Sequence, residues 1–211
     1  MSKMEPNRKQ IIDAHKPGLA GILNIYTSSV FLKKPPFLIS TLICAGITIS
    51  IFLYKVDPYL FLHGLIEQLL SMFPNLLGFN LGGYALIVGF GNTALLQAMT
   101  KPSNGVSHSI FQQLNAIFAF SIILQVLTLL LGFLLSLIDS LDFKTANFFL
   151  ADFINILVTI PLLLLCFWSL LMIPYVVSNI FNFGQMHHFF LNNERISKER
   201  QASGESQEGK Q

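Results

Sequence analysis

The sequence predicts an all-α fold, a polytopic membrane protein with four transmembrane helices and both termini cytoplasmic, and three observations predict it. Of the 211 residues, 53% are hydrophobic and only 11% are charged, against about 25% charged in a typical soluble domain. Four stretches, 35–54, 68–100, 102–138 and 153–193, contain no Asp, Glu, Lys or Arg. Each is long enough for the roughly 20 apolar residues that carry a helix across about 30 Å of hydrocarbon. The third observation is where the basic residues stand. Lys3, Arg8, Lys9, Lys16, Lys33, Lys34, Lys101, Arg195, Lys198, Arg200 and Lys210 fall on one side of four spans, leaving only Lys55 and Lys144 for the other. Loops rich in Lys and Arg stay in the cytoplasm. This composition excludes an ordinary soluble enzyme, a nucleic-acid module and a disulfide scaffold.

The elements follow in chain order. Residues 1–35 form a basic cytoplasmic arm in which Lys16, Lys33 and Lys34 leave no apolar core for a cleavable signal peptide. The transmembrane domain covers 36–181. Its first span is 36–54, bounded by Lys34 and Lys55. Residues 58–73, PYLFLHGLIEQLLSMF, put Phe61, Leu65, Leu69 and Met72 on one face and His63 and Glu67 on another. That pattern predicts an amphipathic helix lying on the outer interface, ended by Pro74 and Asn75. The second span is 76–99, the third 116–138 and the fourth 153–181, with Pro161 and Pro174 inside the last. The segment 182–211 continues as a cytoplasmic helix to about residue 200 and then as a disordered tail, QASGESQEGKQ. A strand barrel would show short alternating segments instead.

The charge-free stretches are not chemically blank. In the second span Gly78, Gly82, Ala85 and Gly89 recur at helical spacing and Asn92 continues the line. Small residues let another backbone approach closely, as in small-xxx-small contacts between membrane helices. Two readings stand: packing within the chain, or a face that meets symmetry mates or lines a passage. The third span carries Ser121, Gln125, Thr128, Gly132, Ser136 and Asp139 on one line. The fourth carries Asp152, Asn155, Thr159, Cys166 and Ser169, and the first carries Thr41, Cys44 and Thr48. Polar groups in hydrocarbon face protein or water, so each stripe is expected to point inwards. The amides of Gln125 and Asn155 need several partners each, which points either to a structural network or to a hydrated seam. Asp152 is either a helix-start acid favoured by the dipole or a charge at an outer vestibule near Lys55 or Lys144.

Catalysis finds no support in the residues. There is no HExxH, GxSxG or P-loop pattern. Cys44 and Cys166 lie far apart in sequence without metal spacing, and adjacent His187 and His188 point about 100° apart on a helix. No cofactor, metal site or nucleic-acid readout is expected. On the cytoplasmic face, Lys33, Lys34, Lys101, Arg195, Lys198 and Arg200 could converge on anionic lipid, a phosphate-bearing ligand or a regulatory protein.

The layout of a basic arm, four spans, a glycine-marked LLGFNLGGYALIVGFGN segment and a basic tail resembles the small four-span membrane components of bacterial anti-phage defence systems. Hailong-type effector channels and the membrane subunit of Kiwa systems are examples. The resemblance implies a homo-oligomer, often a tetramer, in the inner (plasma) membrane of a bacterium. It implies either a ligand- or partner-gated ion channel that disrupts the membrane potential, or a non-conducting sensor that recruits a soluble cytoplasmic partner.

Overall fold

The computed structural model describes residues 18–27, 35–90, 99, 109–141 and 148–208. Among them all regular structure is helical, in five elements: α1 (Gly18–Thr27), α2 (Pro35–Leu53), α3 (Pro58–Phe90), α4 (Ile110–Asp139) and α5 (Phe148–Glu208). Four of these contain a segment long and apolar enough to cross a membrane: Pro35–Leu53, Pro58–Leu86, Ile110–Asp139 and Phe148–Arg200. Among the described residues, then, four helices are suited to span a membrane.

Local chemistry explains the helix boundaries. Helix α2 opens on Pro35 and Pro36 and α3 on Pro58, where the missing N–H is no loss. Asp57 caps α3, its Oδ1 accepting from the amides of Tyr59 (2.9 Å) and Leu60 (3.1 Å). Lys55 takes a left-handed φ of 51° and ends α2. The Val56 amide donates to the Ile51 carbonyl and the Lys55 amide to that of Phe52, the two bonds of a Schellman ending. At the start of α4, Ser109 and Gln112 form a reciprocal capping box.

Packing builds two apolar clusters. One joins Tyr26 of α1, Leu114, Phe118, Phe120 and Leu124 of α4, and Trp168, Met172 and Val176 of α5. The other joins Leu62, Ile66, Leu69 and Phe73 of α3 to Leu162 and Cys166 of α5. Helix α2 leans on α5, where Phe37 meets Trp168 edge-on at 5.0 Å and the Cys44 thiol donates to the Ile160 carbonyl. Pro161 and Pro174 both lie within the continuous α5. In a membrane bundle, neighbouring helices and local adjustments can satisfy the backbone groups a proline frees.

Several expectations need correction. Helix α3 does not break at Pro74, which lies inside one continuous 33-residue element. Its first half is not a separate interfacial helix: Leu62, Ile66, Leu69 and Phe73 are buried against α4 and α5. Of the face expected to be apolar, Phe61, Leu65, Leu69 and Met72, only Leu69 is buried; the buried line runs 62–66–69–73. The helix that holds the expected second span begins at Pro58. Helix α5 continues to Glu208, through most of the expected disordered tail. Within the basic arm, α1 was not foreseen. Its Tyr26 stacks on Phe120 at 4.0 Å and donates to the Met172 sulfur at 3.4 Å, and burial pushes its phenol pKa up.

Close approach of α3 to α4 depends on Gly132. A Cβ there would lie 2.7 Å from Leu69 Cδ2, and Leu69 is itself fully enclosed. Gly132→Leu is expected to force the two helices apart and cost about 3 kcal/mol or more, the upper range for overpacking a filled core. Thermal unfolding of the detergent-solubilised chain measures it. An unchanged midpoint would show that this contact is not part of the fold.

Candidate functional site

A layer of buried polar side chains lies between the two apolar clusters, drawn from α3, α4 and α5. Asn80, Ser121, Gln125, Thr128 and Ser169 are each 1% exposed or less. Spacing on α4 sets three of them on one line, since 121, 125 and 128 are successive positions of one helix face. The Asn80 Nδ2 donates to the Ser121 hydroxyl at 3.2 Å. Thr128 donates to the Leu124 carbonyl at 2.7 Å and shares a 2.9 Å bond with the Ser169 hydroxyl. Ser169 is the donor in that pair, because the single Thr128 proton is already committed.

Gln125 differs from its neighbours. Neither its Oε1 nor its Nε2 has a hydrogen-bond partner in the protein, and the Asn80 Oδ1 likewise has none. Gln125 stands at the middle of the 30-residue α4, hence near the centre of a crossing helix by the 1.5 Å rise. A primary amide offers four hydrogen-bonding sites, and leaving it bare in an apolar interior costs about 1–3 kcal/mol.

The polar line continues beyond this layer. Along α4 it runs Ser121, Gln125, Thr128, Gly132, Ser136 and Asp139, the last two partly exposed. Leu69 interrupts it by lying against Gly132. On α5, Thr159 and Cys166 are buried, Asn155 is half-buried and Asp152 is exposed. Thr159 donates to the Asn155 backbone carbonyl and lines a small crevice with Thr48, Ile51 and Ile156. Among the described residues Asp152 enters no ion pair, with Lys55 or otherwise. On α2, Thr41 faces outwards, contrary to the inward line expected for it.

The glycine line of α3 faces away from the described helices. Gly78, Gly82, Ala85 and Gly89 are all exposed, and a Cβ at any of the three glycines would meet nothing within 4 Å. Asn80, Gly83 and Tyr84 turn towards the bundle instead, Gly83 lying against Ile180 and Phe118. Among the described residues, no neighbour packs on Gly78, Gly82 or Gly89. Asn92 lies outside the described residues.

The basic groups are brought together only in part. Arg195 pairs with Glu199 at 3.6 Å and Lys198 with Glu194 at 3.3 Å, solvent-exposed i,i+4 pairs of modest strength. Arg200 is exposed on the same helix. Lys33, Lys34 and Lys101 lie outside the described residues. No group of three His, Cys, Asp or Glu side chains suited to a metal occurs among the described residues.

Two features escaped the sequence reading. Asn80 sits in the glycine-marked segment, and its signal was an amide two residues after Gly78, one face away from the small residues. His63 contacts Asp139 at 2.8 Å across 76 positions of chain, a pairing no local pattern reveals. Compared with protein-family models, with curated proteins and with solved structures, the chain matches none significantly.

Because Gln125 has no protein partner, Gln125→Leu is expected to raise stability, by about 1 kcal/mol or more. Ser169→Ala, which removes a made bond, is expected to lower it by about 0.6 kcal/mol. Thermal or denaturant unfolding in the same detergent separates the two signs. A destabilised Gln125→Leu would mean that the amide is a structural crosslink after all.

Proposed function

We propose that the chain is a homo-oligomeric effector of the channel type in a bacterial inner membrane, acting in anti-phage defence by disrupting the membrane potential when a cytoplasmic ligand or partner binds. The observation that carries the reading is the unpartnered amide of Gln125 at mid-span. A protein that only had to occupy the bilayer would gain stability from an apolar side chain there. A conducting one needs polar groups at that depth, because an ion that sheds water in hydrocarbon must be given oxygen or nitrogen ligands in its place. The line Ser121–Gln125–Thr128–Gly132–Ser136–Asp139 would form the polar side of such a path. Leu69, seated on Gly132, would be its apolar constriction.

Assembly rests on the outward face of α3. Exposed small residues at 78, 82, 85 and 89 allow two helices to approach closely in a bilayer, where dispersion contacts rather than water exclusion drive association. A tetramer is the stoichiometry that the resemblance to four-span defence components implies. Regulation belongs to the basic end. A ligand bearing phosphate, or a soluble protein, would shift the open population by binding one state better than the other, with Arg195, Lys198 and Arg200 of α5, and Lys33, Lys34 and Lys101, as the cations available to it.

One observation favours a second reading, a non-conducting sensor or scaffold. Helix α5 has 61 residues, about 90 Å of helix, of which barely half is needed to cross a bilayer. The remainder projects as an exposed platform for a soluble partner.

The purified chain, reconstituted in planar bilayers with and without its cytoplasmic partner, decides between them. The channel reading expects a partner-dependent current, lost in Gln125→Leu and leaky without partner in Leu69→Ala. Gly82→Leu is expected to reduce the oligomer to monomers by light scattering while leaving the midpoint of unfolding unchanged, since no neighbour in the chain meets that position. A silent bilayer with a partner that still binds would establish the scaffold.

A further inference from the structure

Helix α3 carries a second polar feature, on the side turned away from the bundle. The outward line does not begin at Gly78. At helical spacing Gln68, Ser71 and Asn75 precede it, and all three are exposed. The depth of Asn75 is fixed by two contacts. The Leu69–Gly132 contact lies on one side of its level and the Asn80–Ser121 bond on the other, and Gln125 of α4 lies between the same two. Asn75 thus stands at mid-span, but it points away from the helices that bury Gln125. Among the described residues its amide has no hydrogen-bond partner.

Pro74 adds a backbone group to the same spot. It is exposed and lies inside the continuous helix. Without an N–H it cannot donate to the Leu70 carbonyl one turn back. One small patch therefore presents an amide, which both donates and accepts, beside a carbonyl that only accepts. Hydrocarbon satisfies neither.

We propose that this patch is the polar lock between two copies of the chain, the Asn75 amide of one copy donating across the interface to the freed Leu70 carbonyl of the next. The lock rests on the reading of the outward α3 face as the assembly surface and names the contact that holds it. It does not depend on whether the oligomer conducts.

The occupant is a second copy because the patch is complementary to itself. Donor and acceptor stand about one turn apart on one surface, so an identical surface supplies what each lacks. Lipid tails bring no hydrogen-bonding group to this depth, and a soluble partner does not reach it. The small residues beyond the patch allow the approach. A Cβ at Gly78 or Gly82 would meet nothing within 4 Å among the described residues, so a neighbouring backbone can come near enough for a side chain to bond it. Charge sets no obstacle, since the line Gln68, Ser71, Asn75, Gly78, Gly82, Ala85 and Gly89 holds no ionisable side chain.

The test uses the full chain in detergent micelles, with dissociation constants from Förster transfer between labelled copies. Asn75→Leu is expected to weaken association about three- to tenfold, the range for one polar contact between membrane helices, without lowering the midpoint of unfolding. Asn75→Gln, which keeps the amide, should restore most of the loss. Pro74→Ala gives a signature that packing alone would not produce. It returns an N–H to the Leu70 carbonyl, so the helix should unfold at a higher temperature while association weakens. In liposomes Asn75→Cys should cross-link between copies on oxidation. Leu81→Cys, exposed but one position off the line, should not; the native Cys44 and Cys166 are buried. Association lost in Gly82→Leu but unchanged in both Asn75→Leu and Pro74→Ala would overturn the lock and leave the assembly face standing. Association unchanged in all three would overturn the face and the lock together. Modification of Asn75→Cys by a water-soluble thiol reagent without cross-linking would mark a water-lined surface and overturn the lock as well.

Discussion

Every polar group that enters hydrocarbon must find its partner within the protein, and the rest of this structure depends on that constraint. It makes the crossing segments helical, because only a helix satisfies its own backbone. It sends side-chain hydroxyls back to carbonyls of the preceding turn, as Thr41, Thr48, Ser50, Thr159 and Ser178 all do. Thr128 and Ser169 go further and join two helices. Against that background Gln125 is the exception, a whole amide without a protein partner at the depth where exceptions cost most. Stability alone gives no reason to keep it there.

Helix α3 serves two faces at once, and the division is sharp. Its inner line, Leu62, Ile66, Leu69, Phe73 and Asn80, builds the bundle. Its outer line, Gly78, Gly82, Ala85 and Gly89, is exposed, and among the described residues nothing meets the three glycines. Glycine inside a helix costs about 1 kcal/mol relative to alanine, and among the described residues no contact offsets that cost at these three positions. The Gly132 case is the opposite, since there the absent side chain is filled by Leu69. The same residue type therefore marks an internal fit on α4 and an unused surface on α3, and the unused surface is what an assembly of copies would cover.

The spans were legible because charge is forbidden over about 20 residues of a crossing helix, and that signal needs no knowledge of neighbours. The start of α4 was placed too late, at 116, because the capping box of Ser109 and Gln112 lies in a polar stretch ahead of the apolar run. Pro74 misled, because the rule that proline ends a helix holds where water competes for the freed carbonyl, and a membrane helix has no such competitor. The facing of a stripe was not legible either. Periodicity shows that Gly78 and Gly82 share a face, but only the bundle shows that the face is outward. Helix α1 was hidden for a related reason: ten residues carry little pattern, and its place is fixed by Tyr26 against Phe120 and Met172, contacts made far along the chain.

Three features on the α3–α4 seam occupy one line: the His63–Asp139 pair at its end, Leu69 against Gly132 within it, and Asn80 with Ser121 beyond the middle. Each joins a residue of α3 to a residue of α4, and the three differ in chemistry as their depth would demand. The ionic pair lies where water is near, the steric plug where water is excluded, and the amide–hydroxyl bond inside the apolar bundle. A small rotation of α3 about α4 would alter all three together, because interdigitated side chains move between discrete packings rather than yielding gradually. Leu69 fills the space beside Gly132 in the present packing, so a movement of the seam changes that contact too.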